Sequence, residues 1–243
     1  MRWWLLLLTA CGRVGFAPRG DGAIGGDDDA PAAVGDADMP AGPAVWLRME
    51  TDPDVMIVDS GGGHAVTCEG ATCPTRVAGK HGQGYQFTAS QVDVAPAADL
   101  DSSAGFTAAI WVNVTALPGP KSSCLWNKTF SVTSDTFSFC IDSTGSVIFE
   151  LDTPGGTMIS DATDPIIVAG QWHHIAMTWD GSNFADYVDG TVGGSGSLPL
   201  GAGNLGLGLG GLRGSNYLNG IVDDALYYTH PLTPAEIQQL ATP

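Results

Sequence analysis

The chain has 243 residues, 44% of them hydrophobic, which suffices for one sizeable core. A formal net charge of −17, with only nine Lys and Arg, repels phosphate backbones and anionic lipid, so nucleic acids are excluded as partners and the folded part has no electrostatic route onto a membrane. With 34 glycines, 15 prolines and 14% charged residues, the composition suits short strands and tight turns better than long charged helices.

The first element in chain order is Met1-Arg2 followed by Trp3-Trp4-Leu5-Leu6-Leu7-Leu8, a minimal positive region and a short apolar run. It is too short for a mature membrane-spanning helix and reads as an export signal. Leu8-Thr9-Ala10-Cys11 resembles a bacterial lipobox, in which small residues precede a cysteine whose thiol carries the lipid. Residues 1–10 are therefore expected to be a lipoprotein signal peptide, with Cys11 lipidated. By resemblance to lipoprotein sorting rules, Gly12 rather than Asp favours the outer membrane, on its cell-surface or periplasmic side. Residues 11–42 hold Gly, Ala, Pro and Asp with almost no large apolar side chain, so they form a disordered tether. A coil of this length spans roughly 30 Å. Residues 43–243 remain as the folded domain.

With Cys11 lipidated, the cysteine count becomes even. Export places Cys68, Cys73, Cys124 and Cys140 where disulfides form. Three connectivities exist; the local one, 68–73 with 124–140, is preferred here. A zinc site is disfavoured by the CxxxxC spacing and the lack of a second close pair.

Phe106, Ala108, Ile110, Val112 and Val114 share one parity, and Thr107, Ala109, Trp111 and Asn113 the other, the period of a strand with a buried face. Val147–Leu151 and His174–Trp179 read as further strands, and Asp180-Gly181 and Asp189-Gly190 as tight turns. Thr233-Pro234-Ala235-Glu236 sets a cap, a first-turn proline and a capping-box acid in order, so a short helix through Ile237 and Leu240 follows. No strand–helix alternation is present. The expected fold is all-β: a two-sheet antiparallel sandwich with a short C-terminal helix.

Five stretches then carry a resemblance. They are Gly79–Phe87 (GKHGQGYQF), Ala104–Val112 (AGFTAAIWV), Gln171–Gly181 (QWHHIAMTWDG), Tyr187–Gly190 (YVDG) and Leu218–Tyr228 followed by Pro231-Leu232-Thr233. Together, and in this order, they resemble the laminin-G-like jelly-roll domains of the concanavalin A-like lectin/glucanase superfamily. The resemblance implies two facing sheets over about residues 44–242, and a function of binding sugars, binding proteins or hydrolysing polysaccharides.

Hydrolysis with retention needs paired carboxylates about 5 Å apart, supplied in glucanase relatives by acids alternating along one strand. Only four glutamates are present, and after Glu150-Leu151-Asp152 the third acid position falls in Pro154-Gly155-Gly156. The chain is therefore expected not to be an enzyme. His173-His174 cannot readily chelate one ion from a strand, because adjacent side chains point to opposite faces. The resemblance also implies a structural Ca²⁺ at the sandwich rim, with Asp59 and Asp223 as ligands and Glu50 as a third contributor.

For a glycan, Trp111 and Asn113 lie opposite the apolar stripe and offer stacking and hydrogen bonding, while Trp126, Asn216 and Tyr217 fall in predicted loops. The preferred reading is a membrane-tethered, non-catalytic recognition module for glycans or cell-surface proteins, attached through its lipid alone. The alternatives are a structural surface protein without a soluble ligand and a degenerate glycoside hydrolase.

Overall fold

The computed structural model describes residues 39–40, 42–70, 73–131, 134–152, 158–162, 166–200, 206–212 and 214–242. The expected signal peptide, the Cys11 lipidation site and nearly all of the tether lie outside the described residues.

Two antiparallel sheets form a jelly-roll sandwich, as the sequence predicts. One sheet contains β1 (Val45–Leu47), β3 (Thr75–Ala78), β4 (Gln83–Thr88), β6 (Phe106–Val114), β11 (His173–Trp179), β12 (Asn183–Val188), β13 (Thr191–Ser197) and β15 (Asn219–Tyr228). Its order is β13-β12-β11-β6-β15-β4-β3, with β1 also on β15. The other contains β2 (Val66–Gly70), β5 (Ser90–Val94), β7 (Ser123–Ser131), β8 (Ser134–Ile141), β9 (Val147–Asp152), β10 (Met158–Ala162) and β14 (Leu207–Leu209). Its order is β10-β9-β8-β7-β14-β5-β2.

The inward parity of β6 behaves as its alternation demands: Phe106, Ala108, Ile110, Val112 and Val114 are all buried in the inter-sheet core. Across the gap Phe106 stacks on Phe137 at 5.0 Å, and Phe137 on Tyr227 at 6.2 Å. Each large side chain removed from water here is worth roughly 1.5–3 kcal/mol. Trp126, expected in a loop, is instead a fully buried core residue of β7. Register shifts beside it at Cys124/Trp126 and Lys128/Thr129 break the alternation that would have marked β7 as a strand. Lys128 is buried too, its Nζ 5.2 Å from the Tyr227 ring, and desolvation lowers it to about 8.

The outward parity of β6 is covered as well, so every residue of this strand is buried except Asn113, which is half-buried. Helix α1 (Pro234–Leu240) lays Ile237 and Leu240 beside Ala109, Ala176, Leu226 and Tyr228. The capping box forms as expected: Glu236 N–H donates to Thr233 Oγ1, and Thr233 N–H to Glu236 Oε2 at 2.7 Å. Cys68 pairs with Cys73 and Cys124 with Cys140, the local connectivity. The second bridge joins residues directly opposed on β7 and β8, with Cα atoms 3.9 Å apart.

Candidate functional site

Between β14 and β15, the described residues of 210–218 are held by several backbone hydrogen bonds. Leu212 and Ser215 exchange backbone hydrogen bonds of 2.8 and 3.0 Å, closing a tight turn in which Gly214 has φ +70°. Cys124 N–H donates to Asn216 O at 2.8 Å, Ser123 Oγ to Tyr217 O at 3.1 Å, and Leu218 N–H to Gly210 O at 2.9 Å. These bonds fasten the loop to β7, beside the Cys124–Cys140 bridge. Tyr217 lies close to two glycines: a Cβ on Gly211 would meet its Cδ1 at 2.9 Å, and one on Gly214 its hydroxyl at 3.7 Å.

Beside this platform opens a cleft of about 550 Å³. One wall is Ala116–Ser123, stiffened by Pro118 and Pro120; the other is Ser215, Asn216, Tyr217 and Asn219. A half-buried aromatic ring, two carboxamides, several hydroxyls and the Lys121 ammonium thus line one concavity. No Asp or Glu lines it. Ring stacking combined with hydroxyl and amide hydrogen bonding is the chemistry a sugar requires.

Trp111 and Asn113 do not line this cleft. Trp111 sits on the outward face of the larger sheet with 5% of its surface exposed. Lys80 Nζ lies 4.5 Å above its ring, and His81 and His174 meet it edge-on at 5.9 and 5.2 Å. Asn113 pairs in register with Ile221, two positions along from Trp111.

Next to Trp111, β15 carries a bulge: Asp223 pairs with Trp111 and Leu226 with Ala109, so one extra residue is accommodated, and Asp224 takes φ 44°. Asp224 Oδ1 accepts from Trp46 Nε1 at 2.8 Å, and His81 Nδ1 lies 2.9 Å from Oδ2. Asp223, fully buried, accepts from His81 N–H and Asp224 N–H at 2.8 Å each. Desolvation, then the Asp224 charge, pushes Asp223 up to about 8.

His81, Asp223 and Asp224 are the one metal-capable cluster among the described residues; Asp59 and Glu50 stand outside it. Both Asp59 oxygens face donors: Trp46, Gly61 and His64 N–H groups at 2.8–2.9 Å, and the His64 ring at 2.7 Å. Glu50 Oε1 accepts from Gln83 N–H at 3.2 Å. Asp59 and Asp223 thus spend both carboxylate oxygens on N–H donors and Glu50 one, and the three acids are not brought to one point among the described residues. His173 and His174 point to opposite faces; the first lies 2.9 Å from Asp189 Oδ2 and accepts Val168 N–H, and the second is fully buried.

The smaller sheet carries a polar rib in register on its outward face: Glu150, Ser138, Asn127, Gly208, Asp93 and Thr67. Asn127 and Ser138 are 1% and 0% exposed, so the rib is covered at its middle. Glu150 Oε2 accepts from Ser138 Oγ at 3.1 Å, and its in-register neighbours on β8 and β10 are both serines.

The sequence profile of the concanavalin A-like lectin/glucanases superfamily matches residues 82–238. The chain belongs to that superfamily. Among curated protein sequences, none matches this concanavalin A-like chain closely enough to count as a relative. Among solved structures it is similar to the binding domain of Paraclostridial Mosquitocidal Protein 1, with TM-score 0.67 and 19% identity over 82% of this chain and 52% of that one. It is also similar to domain 4 of AbnA, an extracellular arabinanase from Geobacillus stearothermophilus solved with arabinotriose, with TM-score 0.66 and 20% identity over 83% and 98%. The botulinum neurotoxin serotype G binding domain aligns with TM-score 0.65 and 15% identity over 82% and 50%. The chain thus spans about half the length of the toxin binding domains and nearly all of the arabinanase domain. At these identities the likeness concerns the fold.

Proposed function

We propose that this protein is a non-catalytic glycan-recognition module, held at the outer membrane by a lipid on Cys11 and engaging sugars in the cleft beside Tyr217. The observation that carries the reading is the cleft itself: an aromatic ring next to two glycines, beside carboxamides and hydroxyls, on a loop fixed by backbone hydrogen bonds. A pre-formed surface of this kind loses little entropy on binding. The resemblance to an arabinanase domain solved with arabinotriose, and to toxin binding domains, supports recognition over catalysis. Two disulfides suit an exported protein, and the proposed lipid on Cys11 is its attachment to the membrane.

The test is a glycan array probed with the full chain and with Tyr217→Ala. Binding to a defined set of glycans, weakened about 3- to 10-fold in the variant, is expected, since one stacking contact is worth roughly 0.5–1.5 kcal/mol. Binding that ignores the substitution removes the cleft from the account.

A further inference from the structure

Carboxylates outnumber cations 26 to nine in this chain, so an exposed basic side chain is a scarce counter-charge. Among the described cations, Arg48 stacks on Trp46 at 4.5 Å and Lys80 on Trp111 at 4.5 Å. Lys128 is buried over Tyr227, and Arg76 Nη1 donates to Glu50 O at 3.1 Å. Lys121 alone among them has no protein partner, and it stands exposed on the wall of the Tyr217 cleft. The cleft supplies no Asp or Glu to neutralise it, only hydroxyls, carboxamides and a phenol ring.

We propose that the cleft takes a sugar acid, a glycan carrying a carboxylate, with Lys121 as the counter-charge; this rests on the glycan-binding reading above. An ammonium on a flexible stem meets a carboxylate without demanding a fixed two-point geometry, which suits a sugar acid whose ring is positioned by stacking. The molecule's net charge of −17 opposes an approaching anion, and one unneutralised cation at the point of contact offsets that locally. A single lysine matches sparse carboxylates, one per binding frame, rather than a densely sulfated polymer.

The experiment measures affinities of the full chain for matched pairs: sialyllactose against lactose, and trigalacturonate against its methyl ester, alongside a panel of neutral oligosaccharides. The acidic member of at least one pair is expected to bind about 3- to 10-fold more tightly at low salt. Lys121→Gln erases that preference, bringing the acidic member's affinity down to that of its neutral partner, and Lys121→Arg keeps it; thermal melts confirm that both variants fold. Equal or tighter binding of the neutral members, or a preference that survives Lys121→Gln, overturns the carboxylate assignment. Neutral glycans bound through Tyr217 with no dependence on Lys121 do so while leaving the glycan reading intact. No binding to any glycan overturns both.

Discussion

His174 is fully buried on the outward face of β11, with its Nδ1 lacking a hydrogen-bond partner. Burial lowers its pKa from 6.5 to about 4. The unfolded chain therefore takes up this proton first as pH falls, so the folded state loses stability between pH 6.5 and about 4 and the loss levels off below. The loss is on the order of 3 kcal/mol. Asp223 works in the opposite sense. Held up near 8, it favours the folded state when protonated, and that contribution fades as pH rises from 3.8 towards 8. Urea unfolding of wild type and His174→Leu isolates the first effect: the stability of wild type relative to the variant should fall as pH drops from 7 to 4. A constant difference contradicts it. Asp223→Asn, neutral at every pH like the protonated acid, should remove this fading, so that the variant's stability relative to wild type rises as pH increases from 4 to 8.

At the level of elements, the Tyr217 loop depends on the backbone turn at its start. Gly210 has φ +81°, and a Cβ there would run into the Phe87 ring. Gly210→Ala should therefore destabilise the fold by at least about 2 kcal/mol and weaken glycan binding together with it, read by thermal melting and titration. The Cys124–Cys140 bridge closes a 16-residue separation immediately beside the same loop. Replacing both cysteines with alanine should cost about 3 kcal/mol, measured by denaturant unfolding under non-reducing conditions. Helix α1 is a smaller contributor: Thr233→Ala, which breaks the capping box, should cost about 1 kcal/mol.

For the whole molecule, what was legible in the sequence was whatever is local. Alternation marked β6, Asp189-Gly190 marked a turn now seen with φ of 50° and 74°, and four residues from Thr233 specified the helix start. Both disulfides join near neighbours in sequence, so the local pairing could be preferred. What was not legible arises from long-range assembly or from broken periodicity. Trp111 is chemically a stacking residue, but Lys80 and His81, from the turn before β4, cover it. The bulge that turns Asp223 and Asp224 towards Trp46 and His81 leaves no local pattern, and the Trp46–Asp224 bond spans 178 residues. Shifts in β7 hid Trp126 as a core residue. Tyr217 was recognisable as a loop aromatic, whereas the Ala116–Ser123 wall facing it becomes a site only when the chain folds.

That pairing of wall and ring is the central claim, and amide chemical-shift mapping with a bound oligosaccharide tests it most directly. Titration of the isotope-labelled full chain should move the amides of Lys121–Ser123 and Ser215–Asn219 first and furthest. Shifts centred instead on Lys80, Trp111 and His174, with the Tyr217 loop unmoved, would contradict it.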